Sequence, residues 1–173
     1  MTLLLSSRLG TGAQNVHELN GRNMSQFFYV LDRTARLLFV DDDPILREFA
    51  QVNLASPSAC IETAAHGAEA LERLSAADYD LVLLDLEMPV LNGFDTLAAI
   101  RANPRTAGMP VIVQTGREDV EAIDKAFRLG ATSFVIKPLH WRLLTYQIMY
   151  VLRASEAELR SASEARGCLE AAA

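Results

Sequence analysis

A chain of 173 residues, half of them hydrophobic and 22% charged, has the size of one domain of about 120 to 130 residues with tails. Its net charge of −6 and pI near 5.1 argue against a broad nucleic-acid or anionic-membrane surface. No apolar run approaches the roughly 20 residues of a membrane helix, and residues 1 to 10 lack the basic start of a secretory signal. Cys60 and Cys168 make neither a metal spacing nor a disulfide framework, which points to reduced cysteines in a cytoplasmic protein.

Residues 1 to 34 show no sustained period and read as a flexible or loosely docked extension, with Phe27, Phe28, Tyr29 and Val30 as its packing part. Order begins near Arg36. Leu37-Leu38-Phe39-Val40 is a buried-strand run ending in Asp41-Asp42-Asp43-Pro44. Pro44 suits the first turn of a helix and Asp43 its N-cap, and the helix runs to about Leu54. Ala59 to Thr63 is a short strand and Gly67 to Leu74 a small helix. Leu81 to Leu84 is the most apolar strand and runs straight into Asp85. Pro89 and Asn92-Gly93 break the chain, and Phe94 to Arg101 is helical. Pro110 to Gln114 is a strand ending at Thr115-Gly116. Glu118 to Leu129 is a helix closed by Gly130 at C′. Ser133 to Ile136 is a strand ending at Lys137-Pro138, and a long helix starts at Trp141.

Five strands and five helices in strict alternation, with short connections, imply an α/β fold: a doubly wound (βα)5 parallel sheet with right-handed crossovers. Ligands bind such sheets at the C-terminal edge of the strands. That edge collects Asp41 and Asp42 after the first strand, Asp85 after the third, Thr115 after the fourth and Lys137 after the fifth. Taken alone, Asp85 is equally consistent with an aspartate that starts a turn; the convergence of the other four removes that reading. Two carboxylates about 4 Å apart repel by roughly 4 kcal/mol at an effective dielectric near 20, so the cluster needs a cation. All-oxygen ligands with few protein contacts suit Mg²⁺. A carboxylate beside Mg²⁺ and a lysine is a nucleophile toward phosphorus, with Lys137 and the Thr115 hydroxyl placed to hold the transferred oxygens.

These residues resemble the receiver domain of two-component response regulators. The resemblance rests on Phe39-Val40-Asp41-Asp42, on Asp85 with Met88-Pro89 and Asn92-Gly93, on Thr115-Gly116 and on Lys137-Pro138. The intervals match too: 43 residues from Asp42 to Asp85, 30 from Asp85 to Thr115 and 22 from Thr115 to Lys137. It implies a receiver over residues 35 to 153 in which Asp85 accepts a phosphoryl group from a phosphohistidine of a sensor histidine kinase or phosphotransfer protein. It implies Mg²⁺ held by Asp42, Asp85 and the Glu87 backbone carbonyl, with Asp41 acting through water. Lys137 pairs with the phosphoryl group, Thr115 moves to bond it, and Phe134 is the switch aromatic that follows Thr115, unless it is only a core residue. The Lys137-Pro138 bond is expected to be cis. Glu87 and Arg117 occupy positions that set the lifetime of the acyl phosphate, or pair with each other. Gln114 is atypical of the family before the Thr and has no explanation in the sequence. His17, His66 and His140 read as bystanders.

Residues 154 to 173 continue the last helix as a linker or tail. Ile148, Leu152, Ser155, Leu159, Ala162, Arg166 and Leu169 form an imperfect heptad seam, or else one side of a solvated tail. Gly167 is expected to loosen the end. The helix resembles the one that precedes cyclic-di-GMP output domains in related receivers, so the chain reads as a stand-alone receiver or as the receiver of a longer regulator. A homodimer through the last two helices and the C-terminal helix stays open; direct nucleic-acid binding and membrane insertion are not expected. Two other readings compete: a degenerate receiver that binds partners without phosphorylation, and a phosphohydrolase with Asp41 as nucleophile. The second lacks the Gly-Thr that such enzymes favour after the Asp-x-Asp pair, since Pro44-Ile45 follows here.

Overall fold

The computed structural model of the chain describes residues 34–116 and 120–171, with side chains to residue 165. The expectations for residues 1 to 33, Arg117 and the Cys168 side chain lie outside the described residues. The elements alternate without exception: β1 (Ala35–Val40), α1 (Pro44–Leu54), β2 (Ala59–Ala64), α2 (Gly67–Ala76), β3 (Leu81–Asp85), α3 (Gly93–Ala102), β4 (Val111–Thr115), α4 (Val120–Arg128), β5 (Ser133–Ile136) and α5 (Trp141–Ala171). The strands pair in the order β2-β1-β3-β4-β5, all parallel. This is the doubly wound sheet expected from the alternation.

Strand alternation divides the core into two layers. Leu37, Phe39, Leu81, Leu83 and Ile112 face Ala50 and Leu54 of α1 and Leu144 and Ile148 of α5. Leu38, Val40, Val82, Leu84, Val111 and Val113 face Ala70 and Leu74 of α2, Leu97 and Ile100 of α3, and Ala126 of α4. All residues of β3 and β4 are buried, as a strand covered on both faces requires. Each fully buried leucine or valine contributes about 1.5–3 kcal/mol of transfer free energy.

Local signals set the helix starts. The Asp43 carboxylate accepts from the Ile45 N–H (2.8 Å), one residue before Pro44 opens α1. His66 has a structural role as N-cap: its Nδ1 accepts from the Glu69 N–H (3.2 Å), while the Glu69 carboxylate accepts from the Ala65 N–H (2.8 Å). This is a reciprocal capping arrangement with an imidazole in place of a hydroxyl. Gly130 follows α4 with a φ of 94°, as expected of a C′ glycine, and the Lys137-Pro138 bond is cis.

Two expectations for the C-terminal helix need correction. The helix does not loosen at Gly167 but runs 31 residues to Ala171; surrounding Ala, Glu, Arg and Leu, all good helix formers, offset the roughly 1 kcal/mol that one glycine costs. Nor is the whole heptad seam free to face a partner helix. Ile148 and Leu152 are buried in the domain's own core, so the seam opens only beyond them, where Leu159 is 64% exposed.

Candidate functional site

In this strand order β1 lies between β2 and β3, and the order reverses between β1 and β3. That switch point leaves a crevice at the C-terminal edge. Asp41 and Asp42 follow β1 and Asp85 ends β3, so the fold delivers three carboxylates to the crevice. One oxygen from each of Asp41, Asp42 and Asp85 lies within 4.8 Å of the others. Asp41 is fully buried and Asp85 nearly so, while Asp42 is exposed. The cluster therefore has a dry base and an open mouth.

Lys137 reaches into it from the end of β5. Its Nζ lies 2.7 Å from Oδ2 of both Asp41 and Asp85. At that distance both contacts are charge-assisted hydrogen bonds, so the one ammonium is shared by the two buried carboxylates. Burial pulls the Lys137 ammonium down, but the two carboxylates outweigh it and its pKa is raised. Burial pushes the Asp85 carboxyl up, Lys137 opposes this and Asp41 adds to it, and the net direction is upward. A buried carboxylate with a raised pKa binds an electrophile more strongly than a solvated one.

The backbone holds the cluster in shape. The Asp43 N–H donates to Asp41 Oδ1 (3.0 Å) and the Glu87 N–H to Asp85 Oδ1 (3.2 Å). Arg47, one turn into α1, donates through Nη1 to the carbonyls of Asp41 (2.7 Å) and Asp42 (2.8 Å). This clamp on the acidic loop was missed in the sequence. Its signal was a basic residue on the first turns of the helix that follows an acidic pair.

The expected residues do not all meet. Asp41, Asp42, Asp85 and Lys137 come together. Thr115 ends β4 and is buried, and its carbonyl accepts from the Lys137 N–H (2.8 Å). Glu87 is exposed beside Asp85. Phe134 stands apart from the carboxylates, half-buried against the second core layer, with its ring edge-on to Phe127 at 6.1 Å. His140 is exposed at the start of α5. One ammonium against three carboxylates leaves the cluster net negative. An all-oxygen donor set that stays net negative fits a hard divalent cation.

Residues 37–149 match the family model described as the response regulator receiver domain. The chain is 40% identical over 122 residues to the transcriptional regulatory protein CpxR homolog of Haemophilus influenzae, covering 70% of this chain and 52% of that protein. It is 38% identical over 112 residues to a probable cyclic di-GMP phosphodiesterase of Vibrio cholerae, covering 65% of this chain and 25% of that protein. The solved chemotaxis protein CheY4 of Vibrio cholerae superposes with a TM-score of 0.65 at 30% identity, over 68% of this chain and 98% of that one. A CheY-like receiver domain protein of Methanospirillum hungatei superposes with a TM-score of 0.68 at 27% identity, over 72% and 98%. The chain spans about half the length of the curated transcriptional regulators it matches. No described helix is long and apolar enough to cross a membrane. A match that runs from β1 into α5, on this sheet order, makes the chain a member of the response regulator receiver domain family.

Proposed function

We propose that the chain is the phosphorylation-controlled switch of a cytoplasmic two-component system, with Asp85 as the phosphoacceptor. The observation that carries this is the convergence of Asp41, Asp42 and Asp85 within 4.8 Å, with Lys137 at 2.7 Å from the buried pair. Asp42, Asp85 and the Glu87 carbonyl would hold Mg²⁺, with Asp41 acting through water; the ion supplies charge neutralisation for the incoming phosphoryl oxygens. An Asp85 oxygen attacks phosphorus, the P–N bond of a partner's phosphohistidine breaks, and the imidazole leaves with the electron pair. Lys137 exchanges its hydrogen bond to Asp85 for one to the phosphoryl group. Thr115, at the end of the adjacent strand, is the hydroxyl that follows, and Phe134 transmits its movement to the α4-β5-α5 face. The reaction is modification of the chain itself, followed by slow self-dephosphorylation, not turnover of a free substrate.

The phosphodonor is a sensor histidine kinase or phosphotransfer protein. Ile45, Phe49 and Val52 of α1 are 59%, 50% and 78% exposed, and α1 begins two residues after Asp42, which gives such a partner an apolar footing beside the site. Leu143, Tyr146 and Tyr150 of α5 are 62%, 47% and 73% exposed and offer an output or homodimer face. Asp41 is the weaker nucleophile candidate, because no face of it reaches solvent.

Intact mass after incubation with Mg²⁺ and acetyl phosphate tests the reading. The wild type and Asp41→Asn gain one phosphoryl group, the latter slowly, and Asp85→Asn gains none. Labelling of Asp85→Asn would overturn the assignment. A wild type that neither labels nor binds beryllofluoride would mark a phosphorylation-independent binding module.

A further inference from the structure

Gln114 is fully buried, and among the described residues neither its Nε2 nor its Oε1 has a hydrogen-bond partner. Buried amides are normally paired, and an unpaired one destabilises the state that contains it. An apolar side chain of the same volume would fill the place at no such cost.

Its position follows from the sheet. Val111 and Val113 enter the layer under α2, α3 and α4, whereas Ile112 enters the layer under α1 and α5. Alternation puts Gln114 on the side of Ile112. The same alternation puts Asp85 on the side of Leu83, and Lys137 on the side of Val135. The register sets Gln114 directly beside Asp85 on one strand and Val135 on the other. To bring Nζ within 2.7 Å of Asp85, Lys137 must cross β4, since β5 and β3 lie on either side of it, roughly 10 Å apart. On that face β4 presents Gln114, level with Asp85, and then Gly116, level with Lys137 and without a side chain, so Gln114 supplies the side chain along the crossing. Gln114 therefore lies on the face of β4 that the Lys137–Asp85 pair spans.

We propose that Gln114 is a positioning residue for phosphoryl transfer, acting through Lys137. This rests on the phosphoacceptor reading of Asp85. An ammonium has three donors, and in the structure two carboxylates face it. Once Asp85 carries the phosphoryl group, that oxygen no longer bears a carboxylate charge, and the ammonium turns toward the phosphoryl oxygens. The turn brings over β4 the donor that the two carboxylates leave unused. Gln114 Oε1 accepts it, and this fixes the direction from which Lys137 approaches the transferred group. A hydrogen bond made only in the phosphorylated geometry favours that geometry over the resting one.

The test uses the whole chain and Gln114→Met, with Gln114→Leu as a second fill of the same place. Three quantities are compared with wild type: the urea midpoint, the affinity for beryllofluoride with Mg²⁺, and the acetyl phosphate dependence of labelling. The expected result is a variant at least as stable as wild type that binds beryllofluoride about tenfold more weakly, the effect of one lost hydrogen bond. Its maximal labelling rate falls while its half-saturating acetyl phosphate concentration stays unchanged. Wild-type affinity and rate in either variant would overturn the proposal and leave Gln114 as core filling. A structure of the wild type with beryllofluoride decides independently of any variant. Gln114 Oε1 within about 3.2 Å of Lys137 Nζ supports the proposal, and a separation beyond about 3.5 Å sinks it. If wild type itself neither labels nor binds beryllofluoride, the phosphoacceptor reading fails first and this one falls with it.

Discussion

Gly93 lies so close to Asp85 that a Cβ built on it would stand 2.1 Å from the Asp85 carbonyl oxygen and 2.7 Å from the Leu86 Cα. Asn92 caps α3 through the Asp95 N–H (3.0 Å), and the Gly93 N–H bonds the Leu86 carbonyl (3.1 Å). The start of α3 is thus pressed against the end of β3. The obstructing atoms are backbone, so a methyl group at 93 forces the two elements apart at the residue that carries the site. Gly93→Ala is expected to destabilise the fold by about 1–3 kcal/mol. It should also slow acetyl phosphate labelling of Asp85 out of proportion to the unfolded fraction. Urea denaturation and intact mass check the two parts; a labelling loss fully explained by unfolding would reduce Gly93 to a packing role.

Removing the ammonium from the site exposes what it neutralises. In Lys137→Met, Asp41 and Asp85 face each other, both buried and without their shared cation. Breaking a buried pair by deleting one partner typically costs about 3–5 kcal/mol. Mg²⁺ bound to the same carboxylates supplies the missing positive charge, and ligand binding stabilises only the folded state. The expected outcome is a large stability loss without Mg²⁺ and a rise in melting temperature on adding Mg²⁺ that is greater in Lys137→Met than in wild type. Equal Mg²⁺ stabilisation of the two proteins would show that the ion does not meet this cluster.

How much of this was legible in the sequence depended on distance along the chain. The apolar runs Leu37 to Val40, Leu81 to Leu84 and Val111 to Val113 each end at a chemically distinctive residue. A parallel sheet brings strand ends to one edge, so the sequence alone groups Asp41, Asp42, Asp85 and Lys137. Features that depend on side-chain reach could not. Nothing in the pattern says that Asp41 is fully buried while Asp42 is open, or that Lys137 spans two strands. The unpaired state of Gln114 appears only when the strand on either side of it is known. His66 was passed over because imidazole is an uncommon cap, although Glu69 three residues on carries the capping signal. The seam on α5 misled for a related reason: Ile148 and Leu152 have the right spacing for a partner helix, and the domain core takes them first.

The clamp from Arg47 makes a separate demand on the site. Its Nη1 holds the carbonyls of both Asp41 and Asp42, so the loop that presents two acidic side chains is fixed from α1. Arg47→Ala leaves every carboxylate in place but frees the loop. The expected outcome is Mg²⁺ affinity reduced about threefold to tenfold, with a stability loss near 1 kcal/mol, the scale of one or two hydrogen bonds to a charged donor with partial exposure. Mg²⁺ titration followed by the fluorescence of Trp141 measures it, since that ring packs at a tilt against Phe39 (6.2 Å) of the strand that leads into the loop. Unchanged affinity would show that the loop keeps its shape without α1.

Far from the site, Glu62 on β2 accepts from Arg36 Nη2 (2.5 Å) on β1 and from the Tyr79 hydroxyl (2.8 Å). The Arg36 bond, then the Tyr79 bond, hold the Glu62 carboxyl below its ordinary value of 4.5, against the opposing effect of burial. Burial, then the bond to Glu62, push the Tyr79 hydroxyl from 10.0 up to about 12. The two shifts act at opposite ends of the pH scale. Folded Glu62 takes up a proton less readily than unfolded Glu62, so its contribution is fully present above the unfolded value and is lost as pH falls through the folded one. Folded Tyr79 gives up its proton less readily, so its contribution is present below pH 10 and is lost as pH rises toward 12. Tyr79→Phe removes one hydrogen bond and the alkaline titration together. It is expected to lower neutral-pH stability by about 0.5–1.5 kcal/mol and to flatten the stability decline between pH 10 and 12. Glu62→Gln flattens the decline below about pH 5 instead. Urea midpoints across the pH range read both, and an alkaline decline of wild-type steepness in Tyr79→Phe would place its cause in another group.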